Sequence, residues 1–178
     1  MSAASKVSID GGPYSLAAGP DGAMWVTLVH GGSIARVTTG GDVTVYSVGP
    51  QSRPSIITAG PDGAMWFTQI LADKLGRIPM DGPIQEMELP GKPHAVVADP
   101  NDGVWVSLWG ANQIARVSGD GSEVVTIDLP PGSEPHGLAI GPEGALWIAL
   151  ESGFVLRMPT LTQRRGSSAV FAPRSTFW

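Results

Sequence analysis

The 178 residues, 42% hydrophobic and 15% charged, provide for one domain, and 24 glycines with 16 prolines make it rich in turns. Eleven Lys and Arg against 16 Asp and Glu leave a net charge of -5, which argues against binding a phosphate backbone, and the absence of cysteine removes disulfides, thiolate metal sites and cysteine nucleophiles. No apolar run reaches the ~18 residues of a membrane span. The start Met1-Ser2-Ala3-Ala4-Ser5-Lys6 lacks the apolar stretch of a signal peptide, so a cytoplasmic location is expected, with neither nucleic acid nor membrane as partner.

Along the chain, Lys6-Val7-Ser8-Ile9-Asp10 comes first and reads as an outer strand without a blade of its own, so residues 5–10 are expected to complete the last blade if the ring closes. A repeat follows. Pro13, Pro54, Pro93 and Pro135 each lie twelve residues before a tryptophan, Trp25, Trp66, Trp105 and Trp147. Arg36, Arg77 and Arg116 come eleven residues after the first three tryptophans and Arg157 ten after the last, so the units are spaced 41, 39 and 42 residues apart. They occupy about 13–53, 54–92, 93–134 and 135–159.

Each unit alternates apolar and polar residues over short runs such as Ala23-Met24-Trp25-Val26-Thr27 and Ser33-Ile34-Ala35-Arg36-Val37, which is the period of a strand. Asp21-Gly22, Asp62-Gly63, Asp102-Gly103 and Glu143-Gly144 are turn signals before the tryptophan strand. No segment reads as a helix. Each unit is therefore a meander of about four antiparallel strands. Packing the units radially buries a continuous core, so the fold class is all-β, a β-propeller of about four blades spanning 1–159. The fourth unit loses its outer-strand pattern after Met158, and 160–178 reads as a poorly ordered tail.

In a propeller the residue entering each innermost strand lines the mouth of the channel. Here these are Tyr14, Ser55, His94 and His136, preceded by Gly12, Arg53, Lys92 and Glu134 beside the prolines. A second mouth position, four residues past each tryptophan, holds Val29, Ile70, Trp109 and Glu151. Polar chemistry thus concentrates on the third and fourth units. Histidines at such junctions commonly serve only as hydrogen-bonding residues. The four repeat tryptophans read as core, the repeat arginines as partners of backbone carbonyls or neighbouring blades, and the Asp-Gly pairs as hairpin turns instead of calcium loops.

Lys92-Pro93-His94-Ala95, Trp109-Gly110-Ala111-Asn112-Gln113-Ile114-Ala115-Arg116, Glu134-Pro135-His136-Gly137 and Glu151 resemble the C-terminal blades of the virginiamycin B (streptogramin B) lyase family. Ile57 to Thr68 is similarly typical of it, and the resemblance runs from about Ser8 to Met158. It implies a carbon–oxygen lyase that linearises streptogramin B cyclic depsipeptide antibiotics, conferring resistance, by Mg²⁺-dependent elimination at the ester without adding water. Position by position it makes His136 the general base, His94 a substrate-binding residue, and Glu134 and Glu151 the magnesium-associated carboxylates. Trp109 is a further candidate ligand contact.

The residue types agree with that chemistry. An imidazole of ordinary pKa about 6.5 is largely neutral near pH 7 and can take a proton alpha to a carbonyl, and Mg²⁺ prefers oxygen donors. The family's propellers are seven-bladed, whereas this chain has four units. Three outcomes follow: a strained four-blade ring, an open arc, or two chains sharing a larger ring as a homodimer. The alternative function is a noncatalytic ligand-binding propeller or an inactive shortened relative. A sugar-lactone hydrolase fits less well, since no cluster of acidic and asparagine ligands is evident.

Overall fold

The computed structural model describes residues 5–159, so the proposed tail at 160–178 lies outside the described residues. Four antiparallel sheets follow one another along the chain. Sheet one is β1 (Pro13–Ala18), β2 (Met24–Leu28), β3 (Ser33–Val37) and β4 (Val43–Ser47); sheet two is β5 (Pro54–Ala59), β6 (Met65–Gln69), β7 (Lys74–Ile78) and β8 (Gln85–Glu88). Sheet three is β9 (Pro93–Ala98), β10 (Val104–Leu108), β11 (Gln113–Val117) and β12 (Val124–Asp128). Sheet four has three strands, β13 (Pro135–Ile140), β14 (Leu146–Leu150) and β15 (Phe154–Met158). The helical content of the described residues is two short 3-10 turns, Trp109–Ala111 and Pro142–Gly144.

The hairpins form where turn chemistry allows them. Gly22, Gly63, Gly103 and Gly144, at the second place of the four acidic-Gly pairs, all have φ between 72° and 76°, a region that penalises a side chain. In each of the first two sheets the aspartate of that pair binds the sheet together. Asp62 Oδ1 accepts from Trp66 Nε1 at 3.0 Å while its Oδ2 accepts from Arg77 Nε at 2.8 Å, and Asp21 does the same for Trp25 and Arg36. The arginines therefore serve carboxylates of their own sheet more than carbonyls or neighbours. In sheet three Asn101 stands where Asp62 stands, so Arg116 turns to Asp99 at 2.8 Å and Trp105 Nε1 is left buried without a partner. In sheet four Glu143 takes the place and accepts from Arg157 at 2.9 Å.

Neighbouring sheets pack face to face. Trp25, Ile34 and Tyr46 of sheet one meet Ile57, Met65 and Phe67 of sheet two, Trp66 and Leu75 meet Val96 and Val106 of sheet three, and Trp105 and Ile114 meet Leu146 and Ile148 of sheet four. Gly76 shows how closely this interior is filled. A Cβ there would lie 2.0 Å from Cζ of Phe67, whereas sheets one and three place Ala35 and Ala115 at that position beside the smaller Val26 and Val106.

A hydroxyl two residues past each of the first three tryptophans clips one sheet to the next. Thr27 Oγ1 donates to Ser55 C=O at 2.7 Å, Thr68 Oγ1 to His94 C=O at 2.8 Å and Ser107 Oγ to His136 C=O at 2.8 Å. The same oxygens accept the backbone N–H of Ser15, Ile56 and Ala95 on their own inner strands. Thr68→Val keeps the shape and leaves two partly buried backbone groups, the N–H of Ile56 and the C=O of His94, unpaired. A loss of about 1–3 kcal/mol is expected in denaturant unfolding, and an unchanged midpoint would show the clip to be idle.

The arrangement is an open arc. Sheet one packs on two, two on three and three on four, but Trp147 is 37% exposed whereas Trp25, Trp66 and Trp105 are 3%, 0% and 3% exposed. The expectation of four core tryptophans thus holds for three, because burial of each depends on the sheet that follows. Residues 5–10 form no strand, and because completing the last blade requires a closed ring, they meet no edge of the fourth sheet within this arc. They lie instead against sheet one, with Ile9 packed on Val26, Leu28 and Ala35.

Candidate active site

Every inner strand shifts register just past its proline, between Pro13 and Leu16, Pro54 and Ile57, Pro93 and Val96, and Pro135 and Leu138. Such irregularities re-aim side chains, and they fall on Tyr14, Ser55, His94 and His136. The residue before each proline has left-handed backbone: Gly12 (φ 72°), Arg53 (50°), Lys92 (56°) and Glu134 (47°). For three side-chain-bearing residues this is a costly conformation, held by its surroundings at the mouth of the arc.

Two of those surroundings are visible. Asn112 Oδ1 accepts the N–H of Glu134 at 2.9 Å, and Asp73 Oδ1 accepts the N–H groups of Lys92 at 2.7 Å and Gly91 at 3.2 Å. Asp73 and Asn112 are themselves left-handed and both sit four residues before the repeat arginine. Sequence reasoning passed over them. Their recurrence with Gly32 and Gly153 at the same repeat place was the available signal, because these are the residue types that tolerate positive φ.

His94 and His136 meet across the seam between sheets three and four, with ring centroids 3.7 Å apart and planes inclined by 37°. His136 Nε2 lies 3.6 Å from Glu151 Oε1, and the other oxygen of Glu151 accepts from Trp109 Nε1 at 3.2 Å. Lys92 Nζ lies 5.1 Å from the centroid of the Trp109 ring, a cation–π contact. Glu134 joins the group through the backbone, its C=O accepting the N–H of Glu151 at 3.2 Å. His94, Trp109, His136 and Glu151 are thus in one contact chain, and Glu134 leaves the same rim beside them. His30, the remaining histidine, contacts Gly11 and Gly12 just before β1.

Burial pushes the His94 imidazole below its ordinary pKa, and the neighbouring His136 and Arg53 act in the same direction against the opposing Glu151 charge. His94 Nδ1 is moreover buried with no hydrogen-bond partner. A depressed pKa means that the unfolded chain binds the proton more readily, so this histidine contributes stability above pH 6.5 that falls away as the pH drops through its folded value. The His94 imidazole resonance should titrate with a midpoint below 6.5; a midpoint at or above that value would contradict the desolvated placement.

The opening faces solvent: the side chains of His136 and Glu151 are 43% and 44% exposed, and among the described residues no sheet stands opposite them. Fold and cluster together define a propeller-type protein with an imidazole and carboxylate site on the rim of two adjacent blades.

Comparison with known proteins makes this particular. The virginiamycin B lyase family model matches residues 10–158, and the chain belongs to that family. It is similar to virginiamycin B lyase of Mycolicibacterium smegmatis, with 67% identity in an alignment of 282 positions that takes in 89% of this chain and 100% of the relative. Since the alignment is longer than the chain, an internal part of the relative lies opposite a gap. Among solved structures it resembles virginiamycin B lyase from Staphylococcus aureus, TM-score 0.76 and 28% identity, over 86% of this chain and 57% of that one. A catalytically inactive histidine-to-alanine variant of the S. aureus lyase with quinupristin is matched at TM-score 0.75 and 29% identity over 84% of this chain and 56% of that one. The chain therefore spans little more than half the length of the solved relatives. Among the described residues, no helix is long and apolar enough to cross a membrane.

Proposed function

We propose that this protein is a carbon–oxygen lyase that opens streptogramin B cyclic depsipeptides by elimination at their ester, with His136 as general base. The observation that carries the reading is the contact chain His94, His136, Glu151 and Trp109 on two adjacent sheets of a virginiamycin B lyase family member. The S. aureus relative solved with quinupristin supports the substrate class.

In this reading the His136 imidazole takes the proton from the carbon alpha to the threonyl carbonyl. The electron pair of that C–H bond forms a carbon–carbon double bond, the adjacent C–O bond breaks, and the ester oxygen leaves as part of a carboxylate. Atoms balance without water. Glu151, 3.6 Å from Nε2, stabilises the imidazolium that the transfer creates, and Trp109 holds that carboxylate in place from its other oxygen. His94, kept neutral by burial, offers a hydrogen-bonding face to the ester.

Among the described residues no three His, Asp or Glu side chains gather into a metal-holding group, so the chain alone does not build a complete site. Glu134 and Glu151, joined by a backbone hydrogen bond, would be the hard oxygen donors, with water and substrate supplying the remaining ligands that Mg²⁺ commonly keeps. When bound, Mg²⁺ would polarise the carbonyl next to the departing proton as a Lewis acid.

The test is incubation with a streptogramin B and Mg²⁺, followed by liquid chromatography and mass spectrometry. A product of unchanged mass and altered retention is expected; a gain of one water would mean hydrolysis. Unaltered antibiotic would favour the second reading, a noncatalytic binding propeller, whose supporting observation is the unwalled opening opposite the site.

A further inference from the structure

Among the described residues, the two ends of the arc carry complementary faces with no neighbouring sheet. On sheet one Leu16, Met24, Val26 and Val45 share the face turned away from sheet two, and Leu16 is 64% exposed where its repeat equivalents Ile57 and Val96 are 4% and 5%. On sheet four Trp147 and Val155 share the face turned away from sheet three. Inside the chain a tryptophan face of the second kind packs on a face of the first kind three times over. The free ends are therefore the two halves of an interface whose geometry the molecule already contains.

The N-terminal segment points the same way. Leu89, just past β8, packs on Val106, Leu108 and Ala115 of the next sheet, and Ile9 packs on Val26, Leu28 and Ala35, the same three repeat positions of sheet one. Both Leu89 and Ile9 lie four residues before a repeat proline. Residues 5–10 thus already occupy the place of an outermost strand, but the sheet that should lie inside it is absent. Sheet four, conversely, has three strands among the described residues, and the outer edge of β15 is unpaired there.

We propose that two copies of this chain associate head to tail, each seating its fourth sheet on the partner's first, to close one ring of eight sheets in which residues 5–10 add as the fourth strand of the partner's fourth sheet. A two-fold ring satisfies both free faces of both chains at once. It also supplies the wall missing opposite His94 and His136. The seam is apolar, since Ala149 stands where Thr27, Thr68 and Ser107 supply their clips. This inference is independent of the proposed activity.

The pairing has a definite register. Lys74 faces Glu88 and Leu75 faces Met87 in sheet two, so by repeat equivalence Ser8 should face Phe154 and Val7 should face Val155. The native chain has no cysteine, and the Ser8→Cys/Phe154→Cys double variant therefore reports the contact without interference. After mild oxidation a non-reducing gel should show a covalent dimer. A fast-migrating monomer with an internal disulfide, the mark of a four-sheet ring, would overturn the proposal, and so would two free thiols.

Light scattering on the native protein should give twice the 18.5 kDa chain mass. Leu16→Glu should give a folded monomer by far-UV circular dichroism, because that side chain is exposed in the single chain. A native monomer, or a Leu16→Glu variant that remains dimeric, contradicts the seam.

Discussion

His136→Ala should lower the rate of ring opening by roughly 10²- to 10⁴-fold, the contribution of a positioned general base, while leaving the fold intact. The side chain is 43% exposed and its contacts are with His94 and Glu151 of the rim, so little packing is lost. The backbone C=O of residue 136 still accepts from Ser107, which keeps the seam between sheets three and four clipped. Steady-state rates with a streptogramin B, compared with melting curves of the same samples, decide the matter. Wild-type turnover in this variant would remove His136 from the chemistry, whereas a collapsed melting curve would assign it to folding.

The second large effect concerns the tryptophans and separates the inner seams from the ends of the arc. Trp66 is fully buried against Leu75, Val96 and Val106 and donates to Asp62 at 3.0 Å. Trp66→Ala should cost about 3–5 kcal/mol and lower the melting temperature on the order of 10 °C. Trp147→Ala removes a side chain that a single chain leaves 37% exposed, so its cost in dilute protein should be much smaller. Equal losses in the two variants under dilution would mean that the fourth tryptophan is covered within one chain, against the open arc.

Much of this architecture could be read before any coordinates, because the repeat writes the same physical instructions four times. Proline opens each inner strand, Gly supplies the positive φ of the hairpin, and Trp and Arg mark the second and third strands; these are local requirements, visible in local residues. What resisted reading depends on neighbours. Trp147 holds the same repeat position as Trp66, and it is exposed because no sheet follows it among the described residues. Residues 5–10 have the alternation of a strand, but a strand needs an edge to pair with, and the arc presents none to its own N-terminus.

The site shows the same division. His94 and His136 stand at one repeat position, so their presence at the mouth was legible; that their rings touch at 3.7 Å depends on how closely sheets three and four pack. The partners of the arginines were missed because Asp21 and Asp62 were read as turn formers alone, although one carboxylate can shape a turn and accept from both Trp and Arg. Thr27, Thr68 and Ser107, each two residues past a tryptophan, had the recurrence to be noticed. Their role follows only once an adjoining carbonyl is known to lie within reach. Asp73 and Asn112 act through positive φ, which a single sequence displays only as an unremarked Gly, Asp or Asn.

The account depends on one shared opening in which Glu134 and Glu151 can hold an ion beside two imidazoles. Mn²⁺, a paramagnetic substitute for Mg²⁺, tests this directly through the resonances of the chain's three histidines. Substoichiometric Mn²⁺ should broaden His94 and His136 selectively, leave His30 sharp, and lose this effect in Glu134→Gln/Glu151→Gln. Uniform broadening of all three, or none at any of them, would contradict it.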